Sequence, residues 1–224
     1  MSPYLGLVLA YVAGSIPAAY IAGKLARGID LRQHGSGNLG ATNVYRVLGA
    51  KIAVAVLLFD AAKGAVPVLW FPRLLDPTAT DARTSTLWAI AFGVAAIAGH
   101  VRPVFLLWKG GGKGVATASG VFGALAPAAI VITVVVWLAV LVTSGYMSLA
   151  SLAGAAALPA AIAVLAGVRS PLFAVSVLVA GFVFWTHRSN IARLRRGEEP
   201  RFGRKSPPAA GVDTRAPDRP NAPD

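Results

Sequence analysis

Apolar residues run along this chain in long blocks rather than at the spacing of a single helix face. The blocks extend from Tyr4 to Gly23, Ile52 to Phe71, Leu87 to Trp108, Val115 to Val142, Leu149 to Gly167 and Pro171 to Trp185. Several approach the ~20 residues that a tilted helix needs to cross hydrocarbon, where every backbone polar group must be satisfied within the helix. The polar segments between them carry a readable charge pattern. The first holds Lys24, Arg27, Arg32, Arg46 and Lys51 against Asp30, and the third holds Lys109 and Lys113; the second, with Arg73 and Arg83, also has Asp76 and Asp81. By the positive-inside rule the first and third face the cytoplasm, and the second can lie outside.

The block from Val115 to Val142 is too long for one span and is interrupted by Gly123 and Pro127. One crossing there would place the segment holding Arg188, Arg193, Arg195, Arg196, Arg201, Arg204 and Lys205 outside, against the charge rule. Splitting the block into two short helices restores a cytoplasmic tail, while a re-entrant half-helix is the alternative. The expectation is an all-α polytopic integral membrane protein of about seven transmembrane helices, N-terminus outside and C-terminus cytoplasmic. Met1 to Gly23 lacks a positive n-region and ends at Lys24 and Arg27, as a retained span does rather than a signal peptide. Residues 1–203 form the membrane domain, and 204–224, rich in Pro, Ala, Asp and Arg, form a disordered tail.

Composition agrees and narrows the chemistry. Hydrophobic residues make up 56% of the 224 and charged residues 13%, more apolar surface than one soluble domain buries. The formal charge of +12 fits loops facing anionic lipid, and no aromatic pattern supports nucleic acid as a partner. With no cysteine and three histidines, thiolate and imidazole metal clusters are not indicated, and no metal or cofactor is required.

Three polar constellations fall on the expected cytoplasmic side. Gly35-Ser36-Gly37-Asn38-Leu39-Gly40-Ala41-Thr42-Asn43, with Arg46 behind it, offers glycine backbone, amide and hydroxyl donors and a fixed charge, the makings of a phosphate cradle. Its Gly-x-Gly-x-x-Gly spacing copies the dinucleotide fingerprint without the strand that fingerprint needs. The second joins Gly99-His100 to Gly110-Gly111-Gly112-Lys113-Gly114-Val115-Ala116-Thr117. It fails the P-loop pattern, because Leu107 stands at the first glycine and Gly114 where Ser or Thr should follow, yet it still opens a helix toward an anion. The third is His187-Arg188-Ser189-Asn190-Ile191-Ala192-Arg193, in which three-residue spacing points His187 and Asn190 the same way. Within the apolar blocks, Asp60 and Lys63 share a helix face and suggest a mutual pair, with structural pairing slightly favoured over function. Ser148 is a hydroxyl near the same side.

Together with Gly14-Ser15-Ile16-Pro17 and with Leu194, Gly197 and Glu199, these motifs resemble in content and order the bacterial acyl-phosphate:glycerol-3-phosphate acyltransferase family. The departures are the long tail and one extra glycine before Gly111. The resemblance implies a bacterial inner-membrane enzyme with its active site on the cytoplasmic side. Such an enzyme moves a fatty acyl group from acyl phosphate to the sn-1 hydroxyl of glycerol 3-phosphate, giving lysophosphatidic acid and phosphate, and is linked to the enzyme that makes acyl phosphate. It implies catalytic roles for Ser36, Arg46, Lys113, His187 and Asn190. Substrate contacts are implied from Gly37, Asn38, Thr42, Asn43, His100, Gly111, Gly112, Gly114, Thr117 and Ser148, and a bracing role for Glu199. Ser36, Gly37, Asn38 and Thr42 are assigned to the acyl-phosphate head group, and Arg46, Lys113, His187 and Asn190 chiefly to glycerol 3-phosphate. His187 or the acceptor's own phosphate takes the hydroxyl proton; a covalent step on Ser36 is the less favoured route. An organophosphate transporter is the competing class, and it would place its binding groups near the bilayer midplane.

Overall fold

Proline and glycine punctuate the apolar blocks into ten α-helices in the computed structural model, which describes residues 2–75 and 82–203. They are α1 (Pro3–Ser15), α2 (Ala18–Arg27), α3 (Ala41–Leu48), α4 (Ala50–Leu75), α5 (Ala82–Val101), α6 (Val115–Leu125), α7 (Pro127–Ser144), α8 (Met147–Ala166), α9 (Pro171–Thr186) and α10 (Arg188–Arg195). No strand occurs among the described residues. Asp76 and Asp81 of the second polar segment, and the expected tail from residue 204, lie outside the described residues.

Five stretches are long and apolar enough to cross a membrane: Pro3–Arg27, Ala50–Leu74, Thr84–Leu106, Pro127–Ser144 and Met147–Ala166. The pair α9 and α10, bent by 59° at His187, makes a sixth if it counts as one span. The expected break at Pro127 is present, since Pro127 starts α7 where its missing N–H is harmless. The first half of that split block is α6, only 11 residues and so about 16 Å long against a hydrocarbon core of ~30 Å. The count of seven includes this helix, which is too short to cross an unthinned bilayer alone. The first span is also broken, at Ile16 and Pro17, between α1 and α2.

In lipid, apolar surface alone gives helices little reason to associate, so close packing at small residues carries much of the assembly. Gly14 lies against the Ala96 backbone and Gly99 against that of Tyr11, clamping α1 to α5; a Cβ on either would overlap main chain. Gly64 against Thr117 and Gly120 against Ala61 do the same for α4 and α6. One buried cluster, including Ile97, Val121, Phe122, Ile162 and Val183, fills the space among α5, α6, α8 and α9. A second, with Ala19, Leu31, Leu39, Val44 and Val56, lies under the first polar loop and anchors both of its ends.

Candidate functional site

The first loop is shaped from within. Gly35 and Gly37 take φ of 62° and 70°, the left-handed region that disfavours side chains. Asn43, at the start of α3 and 2% exposed, accepts the Ser36 N–H at 2.8 Å through Oδ1. Its Nδ2 donates to the carbonyls of Leu31 at 3.3 Å and His34 at 3.0 Å. Asn43 was expected to offer its amide to substrate. Its amide hydrogens go to the loop's own backbone, while the residue itself lines the cavity. Ser36 and Thr42 line the cavity, and Arg46 stands there from α3.

The second loop is tied to the first. The carbonyl of Gly111 accepts both the Leu39 N–H at 3.3 Å and Asn38 Nδ2 at 3.2 Å. Gly112 donates its N–H to the His100 carbonyl at 3.3 Å. Gly111 therefore joins the two loops from behind and Gly112 fastens the second to the end of α5, and neither is on the main cavity wall. Gly114, at φ 84°, caps α6 and lines the cavity beside Lys113. Thr117 is fully buried where α6 meets Gly64 of α4. Its carbonyl and methyl pack against Gly64, and it is not among the residues on the main cavity wall.

The third constellation supplies the charges that meet Lys113. Lys113 Nζ donates to Asn190 Oδ1, Asn190 Nδ2 donates to Glu199 Oε1 at 2.6 Å, and Arg193 Nε donates to Glu199 Oε2 at 2.7 Å. The chain returns here after α10. Phe202 donates its N–H to Gly145 at 2.7 Å and stacks on Tyr45 with ring centres 4.6 Å apart. This strap seats Glu199, 6% exposed, in the site with Ser148 at 5%.

Burial sets the protonation states. Desolvation pushes Lys113 down from 10.5 to about 8, Arg193 and Arg46 pushing the same way and Glu199 opposing them. Desolvation, reinforced by Lys113, lowers His187 to about 4, so its ring is neutral at pH 7. His187 Nδ1 lies 2.8 Å from the Val183 carbonyl. A carbonyl only accepts, so Nδ1 carries the proton and Nε2 keeps its lone pair free. Burial works to raise the Glu199 carboxyl, but the Asn190 amide, Ser148 and Arg193 outweigh it and hold that carboxyl below its ordinary value.

These groups ring the polar end of a cavity of about 1160 Å³. From Ser148 its wall continues along α8 to Leu158, ten residues on and about 15 Å deeper. Leu57, Ile130, Trp137 and Val179 line the apolar part. The site residues Ser36, Gly37, Asn38, Thr42, Asn43, Arg46, His100, Lys113, Gly114, Ser148, His187, Asn190 and Glu199 all border it. Arg193, named in the third constellation without a role, borders it too, as do Pro200 and Trp137, which were not singled out. Arg193 had a signal, its closeness to Asn190 on the helix; the others depend on chain crossings that no local pattern encodes. No group of three or more potential metal ligands occurs among the described residues.

A cationic mouth over an apolar slot, built into a bundle of membrane-length helices, is a cavity shaped for a molecule with a charged head and an apolar tail. The family model described as glycerol-3-phosphate acyltransferase matches residues 4–197. The curated glycerol-3-phosphate acyltransferase of Geobacter metallireducens is 49% identical over 193 residues, covering 86% of this chain and 94% of that protein. The one from Geotalea daltonii is 42% identical over 198 residues, covering 88% and 96%. Among solved structures, PlsY (YgiH), an integral membrane glycerol 3-phosphate acyltransferase, matches in its glycerol 3-phosphate form with a TM-score of 0.78 and 35% identity, over 91% of this chain and 96% of that one. Its lysophosphatidic acid form matches at a TM-score of 0.77. The chain belongs to the glycerol-3-phosphate acyltransferase family and is an integral membrane acyltransferase.

Proposed function

We propose that the protein transfers a fatty acyl group from acyl phosphate to the sn-1 hydroxyl of glycerol 3-phosphate at the cytoplasmic face of a bacterial inner membrane. The products are lysophosphatidic acid and inorganic phosphate. The observation that carries the reading is a continuous cavity that joins a cationic mouth to an apolar slot, with His187 on its wall and its Nδ1 turned to the Val183 carbonyl. The relatives' names and the glycerol 3-phosphate and lysophosphatidic acid forms of PlsY support the acceptor and the product.

Glycerol 3-phosphate sits with its phosphate against Arg46, Lys113 and Asn190. Ser36, Gly37, Asn38 and Thr42 hold the donor's phosphate, and its tail fills the slot between α4, α7, α8 and α9. His187 Nε2 takes the proton from the acceptor hydroxyl as that oxygen attacks the acyl carbon. The bond from the acyl carbon to the bridging oxygen breaks, and phosphate leaves with the electron pair and then takes the proton from His187. The donor is already activated, so positioning supplies much of the rate, on the order of 7–11 kcal/mol where geometry is good. No covalent step on Ser36 is needed.

The test is phosphate release by the purified protein in lipid with synthetic acyl phosphate and glycerol 3-phosphate, beside acyl-CoA as donor. Release that needs both substrates, fails with acyl-CoA and is lost in Lys113→Ala supports the reading. Equal turnover of acyl-CoA removes the donor assignment. Accumulation of glycerol 3-phosphate in vesicles without acyl transfer replaces the enzyme with a transporter.

A further inference from the structure

Three ionisable residues inside the bundle have no part in the chemistry above. Asp60 and Lys63, on α4, are 2% and 6% exposed, and His100, at the end of α5, is 6% exposed. Ionisable groups at membrane depth are rare and costly, and a bundle that needed only to pack would place apolar residues there. The three make a connected set. Lys63 Nζ is 2.6 Å from Asp60 Oδ1 and donates to the Ile16 carbonyl at 2.8 Å, an oxygen at the break between α1 and α2. His100 Nδ1 lies 3.5 Å from the same Asp60 oxygen.

The far side of His100 meets the second loop. Its carbonyl accepts the Gly112 N–H, and its ring lies so close to Gly112 that a Cβ there would overlap Nε2. A Cβ on Gly111 would likewise overlap the carbonyls of His100 and Val101. The loop is thus pressed onto His100 one residue before Lys113, and Lys113 directs its ammonium to Asn190. Asp60 also stands on the main cavity wall, which puts the set directly behind the mouth.

We propose that Asp60, Lys63 and His100 are positioning residues: they fix the register of the Gly110–Gly114 loop against α1, α4 and α5, and so place Lys113 for the acceptor phosphate. The inference rests on the reading that Lys113 holds that phosphate. Asp60 sets the His100 ring, His100 sets Gly112, and Lys63 fastens Asp60 to the α1–α2 break.

Steady-state rates are measured for the whole protein in lipid, varying each substrate in turn. The variants are Asp60→Asn and Asp60→Asn/Lys63→Met, each also combined with Lys113→Ala. The single variant leaves Lys63 an unpaired charge in the bundle and can unfold the chain; the doubly neutral one removes that charge. Positioning through Lys113 expects KM for glycerol 3-phosphate to rise about tenfold, with donor KM unchanged and almost no further rise on the Lys113→Ala background. A rise of the same factor on that background overturns the inference, as does a fall in kcat alone, which signals lost folded enzyme. Failure of both variants to yield folded protein assigns the triad to the bundle and also overturns it. Lys113→Ala with an unchanged KM for glycerol 3-phosphate overturns this inference and the Lys113 assignment together, in a variant that leaves the triad intact, so the two failures are told apart.

Discussion

Two charged clusters stand on the cavity's walls and differ in what they leave over. In the inner one, Lys63 is matched by Asp60 and capped by a carbonyl, with His100 completing the set. At the mouth, Arg46, Lys113 and Arg193 gather around one carboxylate, Glu199. A pair that closes on itself has no charge to offer a ligand, and its value lies in the geometry it fixes. Cations in excess of their carboxylate are under-solvated until an anion arrives, so they bind it. The same residue types are thus closed on one another in one place and left with charge in excess in the other, and the difference is legible from the balance of partners.

The largest way to break the mouth cluster is at its base. His187→Ala removes the Nε2 lone pair and is expected to lower kcat by about 10²–10⁴, the usual range for general-base loss. Initial rates at saturating substrates, with gel filtration as the check on folding, measure it. A loss under tenfold would move the proton to the acceptor's own phosphate.

Next comes the charge of Lys113. With its pKa lowered to about 8, the lysine is cationic at pH 7 and is lost as a receptor when pH rises through 8. KM for glycerol 3-phosphate should climb there, roughly tenfold per pH unit well above the pKa. Lys113→Arg keeps its charge throughout and should flatten that limb. Glu199→Gln removes the charge that holds the lysine's pKa up, so the limb should begin at lower pH. A limb that stays in place in both variants would separate it from Lys113.

Much of this was readable along the chain because the deciding features are local. Pro127 splits its apolar block because a proline has no N–H to give. Asp60 and Lys63 pair because three residues of helix put them on one face, and three-residue spacing likewise brought His187 and Asn190 under one reading. What escaped depends on crossings between distant segments. His100 meets Asp60 across forty residues of sequence, and the strap returns to lay Phe202 on Tyr45. The bonds that Asn43 makes to the Leu31 and His34 carbonyls were hidden too, because they span twelve and nine residues and appear only in the folded loop. The packing of Thr117 was hidden for a related reason: a helix start marks where an anion can sit, but not which face of that helix is packed.

A smaller effect separates the two clusters sterically. Gly112→Ala drives a methyl into the His100 ring and should displace the loop, raising KM for glycerol 3-phosphate several-fold, on the order of 1 kcal/mol. Donor KM should not move. A comparable rise in donor KM would mean that the displacement spreads through Gly111 into the first loop.

The smallest expected effect tests whether the mouth is held from the His100 side or from the helix behind it. Gly123 lies inside α6, four residues before the proline that starts α7, and a Cβ there meets nothing within 4 Å. A glycine at that place can only loosen the helix that carries Lys113 at its other end. Gly123→Ala fills open space and removes backbone freedom from the unfolded chain, which should stabilise the protein by ~0.5–1 kcal/mol. Thermal unfolding in detergent should shift up by a few degrees, on the order of 2–4 °C for a chain of this size. If Lys113 takes its position from the loop pressed onto His100, stiffening the helix leaves both KM values and kcat unchanged. A more stable enzyme with slower turnover would instead locate a working hinge in α6, and the mouth cluster would then depend on motion that the closed inner cluster does not share.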